Sequence, residues 1–341
     1  MAFVSLNLLL IISAQGQTPQ GSSSLDLKQL SALVEQVRAN PSNAAKVAEA
    51  RAAGFELLRA RRYAEAVEVF DAVVDGVPGD GGSLYGGAVA LFNLRRLDEA
   101  ERVTRDAVRV FIAATATPTG DRLSGDKAKD QAAEALTLLG VILAVKGDNA
   151  GALSAVTKAT TLAPKNFDAQ LALGRALFGT GNPTGAATVF RTAIALRPKD
   201  TTARFFLATS LESAGEYDKA LAEYRELLLV DSRSAEGHLG LGVLLVKLGG
   251  DKTNEGIQEL ARAIALNDGL YEARITIGRA LIQQGRAAEA VEHLLRAVEL
   301  APRNPEPHYQ LALAYRRLGK TQEAAAEEAI IQKLHAERRG S

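Results

Sequence analysis

Apolar residues recur along this chain at helical spacing, in pairs of stripes joined by a short polar turn. The clearest pair covers residues 271–304. Ile277 and Leu281 lie on one face of a first helix, Gly285 ends that helix, and a second apolar stripe runs to Pro302. Glycine accepts the positive φ of a helix C-terminus, and proline cannot continue a helix. The pattern predicts two helices and a turn, a unit that must stack on copies of itself to bury its apolar face.

Small residues show how often the unit recurs. A small residue in the first helix lets the two helices approach closely, and it appears eight times, with steps of 34, 52, 34, 34, 34, 36 and 34 residues. These residues are Gly54, Ala88, Gly140, Gly174, Ala208, Gly242, Gly278 and Ala312. A small residue of the second helix repeats in the same phase, at Ala66, Ala100, Ala152, Ala186, Ala220, Gly256, Ala290 and Ala324. Both series predict eight units, with 18 extra residues after unit two and two extra residues in unit six.

The unit resembles the tetratricopeptide repeat (TPR) family, whose 34-residue helix-turn-helix carries Leu beside Gly or Ala, then a bulky residue, and Ala and Pro in its second half. The resemblance covers residues 47–338. It implies an all-α fold, a right-handed superhelical solenoid of antiparallel helix pairs, of the bacterial secreted or periplasmic type. The family's frequent tryptophan at the fourth position of the repeat is missing. Units three to eight have Leu136, Gln170, Arg204, His238, Arg274 and His308 there.

The N-terminal residues have the composition of a secretion signal. Residues 2–13 are an apolar run that is too short for the roughly 20 residues of a membrane-spanning helix, and an Ala-Gln-Gly cleavage pattern follows. We therefore expect a signal peptide over residues 1–16, a flexible linker over 17–24, a secreted or periplasmic location, and no membrane span in the mature chain. The absence of a basic residue before Lys28 leaves a cytoplasmic location as the alternative.

Three further segments complete the predicted organisation. An amphipathic cap helix is expected within residues 25–46, from the apolar positions Leu27, Leu30, Val34 and Val37. Units one and two occupy residues 47–114. Residues 115–132 carry Pro, Gly and Ser among mixed charges, a composition typical of a mobile loop. We expect this insertion to be a seam before units three to eight, residues 133–338, the last of which ends in a charged C-terminal cap.

Composition restricts the chemistry. The 341 residues include 40 basic and 40 acidic ones, so the chain lacks the basic character of a nucleic-acid binder. It has no cysteine, which excludes disulfides, thiolate metal sites and cysteine nucleophiles. Its four histidines have no metal-ligand spacing, and the Gly-Gly-Asp-Lys-Thr stretch at residues 249–253 lacks the preceding strand and the spacing of a phosphate loop. We expect no cofactor, no metal site and no enzyme activity.

The resemblance also implies a concave groove, lined by the second, fifth, ninth, twelfth and thirteenth positions of each first helix. Here these positions are mainly apolar. The predicted groove residues are Leu171, Arg175, Phe178, Phe205, Leu239, Val243, Ile275, Arg279, Ile282 and Tyr309. Carboxylates hold the second position along one edge, at Glu134, Asp168, Glu236, Glu272 and Glu306. Family members that clamp a C-terminal carboxylate use Lys and Asn in the groove, and the different residues here do not support that ligand.

The predicted function is a non-catalytic scaffold that binds an extended or helical segment of a partner protein in this apolar groove. Several shallow pockets would act together, with a few buried anchors setting the affinity. Each groove residue taken singly could equally be core that contacts the neighbouring repeat. The alternative function is a self-associating structural spacer in a larger envelope assembly, joined through units seven and eight or through the cap helix.

Overall fold

A computed structural model describes residues 27–116 and 122–340, and these residues form seventeen α-helices and no strand. The helices are α1 (Leu27–Ala39), α2 (Ala44–Arg59), α3 (Tyr63–Gly76), α4 (Gly81–Asn93), α5 (Leu97–Ala116), α6 (Arg122–Val145), α7 (Asn149–Leu162), α8 (Phe167–Gly179), α9 (Pro183–Leu196), α10 (Thr201–Ser213), α11 (Tyr217–Val230), α12 (Ala235–Leu248), α13 (Lys252–Leu266), α14 (Tyr271–Gln283), α15 (Ala287–Leu300), α16 (Pro305–Arg317) and α17 (Thr321–Gly340). The predicted signal peptide and linker, residues 1–16 and 17–24, lie outside the described residues.

Helices α2 to α17 follow one another as antiparallel pairs, and the two members of each pair pack together. The predicted all-α class of stacked helix pairs is therefore confirmed. Polar side chains fix where several helices begin. Asp80, Asp148 and Asn166 each accept a hydrogen bond from the backbone amide three residues on, at 2.7, 2.8 and 2.9 Å. These bonds satisfy amides that a helix N-terminus leaves without an intrahelical partner.

The turns inside the pairs require a left-handed residue. Glycine supplies it in most pairs, with positive φ at Gly147, Gly181, Gly215, Gly249, Gly285 and Gly319. In the first two pairs the same position holds Arg61 (φ 59°) and Arg95 (φ 62°). A left-handed conformation costs a residue with a Cβ atom roughly 1–2 kcal/mol. The first two turns are therefore strained relative to the later ones.

The small residues that mark the period lie where paired helices touch. A Cβ atom on Gly278 of α14 would come within 2.6 Å of the Leu294 side chain on α15. Between α12 and α13 the backbones themselves meet, since a Cβ on Gly242 would lie 2.9 Å from the carbonyl oxygen of Gly256. Real Cβ atoms do not approach other atoms this closely, because interiors are already close-packed. The helix pair therefore depends on these positions remaining small.

The chain divides into two compact units, residues 1–196 and 197–341. In unit 1, α1 packs on α2 and α3 through the buried side chains of Leu30 and Val37. Leu27, which the sequence pattern assigned to the same face, is 60% exposed. An amphipathic helix therefore covers the first helix pair, with its N-terminal leucine in solvent.

Residues 115–132 are not a loop where the structure describes them. Helix α5 continues to Ala116 and α6 begins at Arg122, and only residues 117–121 of the insertion lie outside the described part. Ala128 and Ala132 are buried one helical turn apart. The prediction of a loop was wrong here because alanine, lysine and glutamine favour helix and because the buried alanines pack against another surface. These two effects outweigh the nearby Gly and Ser residues.

The predicted seam at the insertion is also absent. A single buried cluster runs from Leu30 of α1 to Ile142 of α6, and a second one joins Leu84 and Phe111 to Ala132. Helices on both sides of the insertion therefore share a core. The boundary between the two units falls later, after Leu196.

Unit 2 contains α10 to α17. A buried cluster in this unit includes Leu260, Ile277, Leu294 and Leu311, one side chain from each of α13 to α16. Successive first helices contact one another in both units: α2, α4, α6 and α8 in unit 1, and α10, α12, α14 and α16 in unit 2. We call the outer surface of these first helices, which carries the predicted groove positions, the first-helix face of each unit.

Candidate binding surface

In unit 1, three predicted groove residues lie on α8. Leu171, Arg175 and Phe178 follow one another at intervals of about one turn, and each is half-buried. Burial lowers the pKa of the Arg175 guanidinium. The three side chains therefore form one stripe on the first-helix face of unit 1, in which a cation lies between two apolar residues.

In unit 2, Phe205 of α10 is held by aromatic neighbours. Its ring centroid lies 5.7 Å from that of Phe206 and 6.1 Å from that of Tyr224, both in edge-on contacts. Tyr224 is almost fully buried, and its hydroxyl lies 3.3 Å from the Thr209 hydroxyl. Edge-on aromatic pairs of this kind stabilise a fold. Phe205 therefore serves the packing of α10 on α11 with one side of its ring.

Leu239 and Val243 lie one turn apart on α12 and are half-buried. Both pack against the buried cluster of α13 to α16. They present only part of their surface on the first-helix face of unit 2. Each of these two residues therefore contributes both to the core and to the surface, the two roles that the sequence left open.

Two predicted groove residues of α14 are core residues. Ile275 is buried, and Ile282 is 1% exposed within the unit 2 cluster. Helix α14 is flanked by first helices on both sides, and the Arg317 guanidinium of α16 reaches the Ile282 carbonyl oxygen at 2.5 Å. These neighbours cover the aliphatic side chains, so the prediction of groove contacts at both isoleucines is corrected. Arg279, on the same helix, is exposed.

Tyr309 on α16 is an exposed predicted groove residue. Its side chain is 46% exposed, and Leu313, one turn further along, is 39% exposed. The Tyr309 hydroxyl lies 2.8 Å from Nε2 of His335 on α17, which fixes the ring orientation. Together these two residues form an apolar pair on the first-helix face of unit 2.

A set of polar pairs that the sequence analysis did not identify lies inside the repeats of unit 2. The fourth residue of the first helix meets a glutamate of the second helix in three repeats. The Arg204 guanidinium donates to Glu223 at 2.8 Å, while His238 and His308 place Nδ1 2.5 Å from Glu259 and Glu327. The sequence signal is a carboxylate 19 residues after the fourth position, or 21 in the repeat with two extra residues.

These pairs occupy the position where the family often has tryptophan. His238 and Glu259 are both buried, and Nε2 of the same imidazole lies 3.1 Å from the Ser232 carbonyl oxygen. Both neighbours are acceptors, so the ring can donate to both only when each nitrogen carries a proton. Removing one member of such a buried pair leaves the other polar group without its partner, which costs about 3–5 kcal/mol. The histidines therefore have a structural role.

The seventh repeat departs from this pattern. His293 stands where the neighbouring repeats have a glutamate, opposite Arg274. Arg274 bonds instead to Asp268 in the preceding loop, and Asp268 also accepts from Arg296 at 2.7 Å. Nδ1 of His293 is buried and has no hydrogen-bond partner in the described part of the chain. Burial, followed by the positive charge of Arg274, lowers the pKa of His293.

The residues that the structure describes contain no candidate metal site and no candidate membrane-spanning helix. Within residues 27–116 and 122–340, no three His, Asp or Glu side chains are grouped so that they could hold a metal ion. The helices of these ranges also lack the combination of length and apolar character that a membrane crossing needs.

Antiparallel helix pairs of 34-residue period, joined into units by their first helices, define an α-helical repeat protein. The chain belongs to the tetratricopeptide repeat family. The family's tetratricopeptide repeat profile matches residues 51–116, 146–201, 171–235 and 206–274 of the chain, and a second profile, TPR repeat, matches residues 278–319. No curated protein matches the chain.

Solved structures agree with the fold. A tetratricopeptide repeat protein from Parabacteroides merdae is 15% identical, with a TM-score of 0.57 over 79% of this chain and 98% of that one. The pilF protein of Pseudomonas aeruginosa is 16% identical, with a TM-score of 0.54 over 61% of this chain and 94% of that one. The Cut9–Hcn1 hetero-tetramer of the APC/C is 16% identical, with a TM-score of 0.58 over 84% of this chain and 52% of that one. These similarities show the fold alone.

The lowered pKa of His293 predicts a pH-dependent stability. Between the usual histidine pKa of about 6.5 and the lower folded value, the unfolded chain binds a proton that the folded chain does not, so stability falls as the pH falls. We expect His293→Gln to remove this component, which at pH 5.5 is at most about 1.4 kcal/mol. Urea unfolding of both proteins at pH 7.5 and 5.5 measures it. Identical pH dependences of the two proteins would contradict the assignment.

Proposed function

We propose that the protein is a non-catalytic scaffold that binds a segment of a partner polypeptide on its first-helix faces. The observation that carries the proposal is the exposed apolar pair Tyr309 and Leu313 on α16, at positions that the fold does not need for its core. Exposed aromatic and aliphatic side chains arranged at one-turn spacing offer anchors to an extended or helical segment. A few such anchors supply most of the binding free energy of an interface.

Membership of the tetratricopeptide repeat family supports this proposal, because proteins with this fold serve as protein-interaction scaffolds. The half-buried Leu171 and Phe178 in unit 1, and Leu239 and Val243 in unit 2, extend the same kind of surface. Mechanism in this proposal means several shallow contacts acting together. The named side chains contribute by contacting the partner segment. Catalysis would need a nucleophile, a base or a cofactor loop that converges on one point.

Self-association is the second candidate function. Leu27 of the cap helix is 60% exposed, and Ile330 of α17 adds a partly exposed aliphatic side chain near the other end of the described chain. A chain with apolar residues at these places could join copies of itself as a spacer in an envelope assembly. The two candidates differ in the identity of the molecule that touches α16.

We further propose that all eight helix pairs are repeats of this family, in a bacterial protein that is secreted or periplasmic. The apolar residues 2–13 and the cleavage pattern after them support the location. The mass of the N-terminus in the source cell tests it. Cleavage after Ala14 or Gly16 is expected, and an intact Met1 or Ala2 would contradict the proposed location.

Site-specific photocrosslinking tests the binding surface directly. We expect benzoylphenylalanine in place of Leu313 to form at least tenfold more covalent adduct in cells than the same residue in place of Leu229. Leu229 is the matched control, because it is 79% exposed and apolar but lies on the second helix α11. Mass spectrometry identifies the crosslinked peptide. A peptide from another protein supports the scaffold, a peptide from this chain supports self-association, and equal adducts at both positions would contradict both.

A further inference from the structure

A cleft in unit 1 is lined by residues of four helices, α1, α3, α4 and α5. Its volume is about 370 Å³, within the range of roughly 300–1,000 Å³ that is typical of small-molecule sites. Val74 and Val103 give it apolar walls, and both pack against the buried cluster that contains Leu84, a third lining residue. The residues that α4 contributes hold the third, fourth and seventh positions of the second repeat. The cleft is therefore separate from the predicted groove, which uses other positions.

The seventh position of the repeat explains why there is space here. Gly87 holds this position in the second repeat, whereas all six later repeats have a bulky aliphatic residue. These residues are Leu139, Leu173, Leu207, Leu241, Ile277 and Leu311. A Cβ atom on Gly87 would meet only the Phe70 Cβ beyond its own helix turn, at 3.5 Å, which is an ordinary contact. Space that the later repeats fill with a side chain is therefore open beside Gly87, which lines the cleft.

The third position carries a buried hydroxyl that the fold does not need. Ser83 is fully buried and lines the cleft, and its hydroxyl has no hydrogen-bond partner in the described part of the chain. Four later repeats fill the same position with an equally buried alanine, at Ala135, Ala169, Ala203 and Ala273. A buried hydroxyl without a partner lowers stability, so alanine would be the more stable residue here as well. The hydroxyl is therefore evidence that a polar group binds in the cleft.

Charged groups of both signs surround the apolar walls. Asp71 and Asp75 lie one turn apart on α3, while Arg38 comes from α1 and Arg102 from α5. Asp106, also a lining residue, forms an ion pair on its own helix α5. Burial, followed by the charge of Asp75, raises the pKa of the Asp71 carboxyl, and a cation beside α3 would oppose this rise. A ligand that complements both the carboxylates and the guanidinium groups must itself carry both charges.

We propose that this cleft binds a small zwitterion with an apolar side group, either a free amino acid or a short peptide. Its ammonium group lies beside Asp71 and Asp75, its carboxylate lies beside Arg38 and Arg102, and its apolar group contacts the valine walls. The Ser83 hydroxyl turns about its Cα–Cβ bond to bond with a polar atom of the ligand. A simple anion would meet repulsion from α3, and a simple cation would meet it from the two arginines. The site is additional to the proposed scaffold surface and does not depend on it.

Thermal unfolding of the full chain with added ligands tests the proposed chemistry, because a ligand that binds only the folded state raises the melting temperature. The probes are leucine, isoleucine, valine and phenylalanine, each as the free amino acid and as its dipeptide. N-acetylated forms lack the ammonium group and amidated forms lack the carboxylate. We expect a zwitterion to raise the melting temperature and its blocked forms to have no effect. A response to the dipeptides alone identifies a short peptide as the ligand, and a response to the free amino acids identifies an amino acid.

Two variants test whether the binding takes place in this cleft. Gly87→Leu restores the bulky residue of the later repeats and should abolish the ligand-induced shift. Ser83→Ala should weaken the Kd about tenfold by calorimetry, while the variant without ligand melts no lower than the unaltered chain. Ser210→Ala is the matched control, because Ser210 is equally buried without a hydrogen-bond partner in the described part of the chain but lies on α10 of unit 2. The control should bind the ligand as the unaltered chain does.

Several results would overturn the inference. These are the absence of a shift with every zwitterion, equal shifts with the blocked forms, and unchanged affinity in Ser83→Ala. A ligand-induced shift that persists in Gly87→Leu would place the binding elsewhere and would also overturn it. If Gly87→Leu does not fold, Ser83→Ala and its control keep the test. Crosslinking at Leu313 does not depend on any of these results, so the scaffold function is tested separately.

Discussion

The close approach of two helices at small residues is the contact on which the rest of this structure depends. Gly278 leaves room for Leu294, and Gly242 and Gly256 bring two helix backbones together. A side chain at these positions would push the helices of a pair apart. Each pair would then lose the fit with its neighbours, and the first helices within a unit would no longer form one face. Because every repeat contacts only its neighbours, the fold is a sum of such local contacts.

Unit 2 adds a second internal contact that the usual aromatic residue would otherwise provide. Arg204 and Glu223, or His238 and Glu259, join the two helices of a repeat through hydrogen bonds. Such pairs join the helices only when both residues of the pair are present, whereas a tryptophan at this position needs no charged partner. They fix the register of the two helices, because a pair held at 2.5 to 2.8 Å tolerates little sliding. The repeat with His293 lacks the carboxylate, and its polar contacts turn outward to Asp268.

Much of the fold was predictable from the sequence because small residues and turn glycines have few alternatives. Gly285, for example, has the positive φ that its place after an apolar stripe implies. The helix from Arg122 to Ala132 was not predicted, because a short helix is marginal in water even when its residues favour helix, and the sequence does not show the surface that covers Ala128 and Ala132. The candidate site was predicted at the level of positions and not of exposure. Ile282 and Phe178 share the twelfth position, yet Ile282 is buried, because exposure depends on what the neighbouring helices place above it.

Replacement of Gly242 by alanine tests the central contact most directly. Gly242→Ala adds one methyl group against the backbone of α13, and overpacking of this kind costs typically about 1–3 kcal/mol. Gly179→Ala is the matched control, because no atom beyond its own helix turn lies within 4 Å of its Cβ position and alanine favours helix by up to about 1 kcal/mol. Urea unfolding with hydrogen exchange of the α12 and α13 amides measures both variants. The account predicts lower stability and weaker protection of these two helices in Gly242→Ala, with no loss in Gly179→Ala. Equal or higher stability of Gly242→Ala would contradict the claim that close helix approach holds the repeat together.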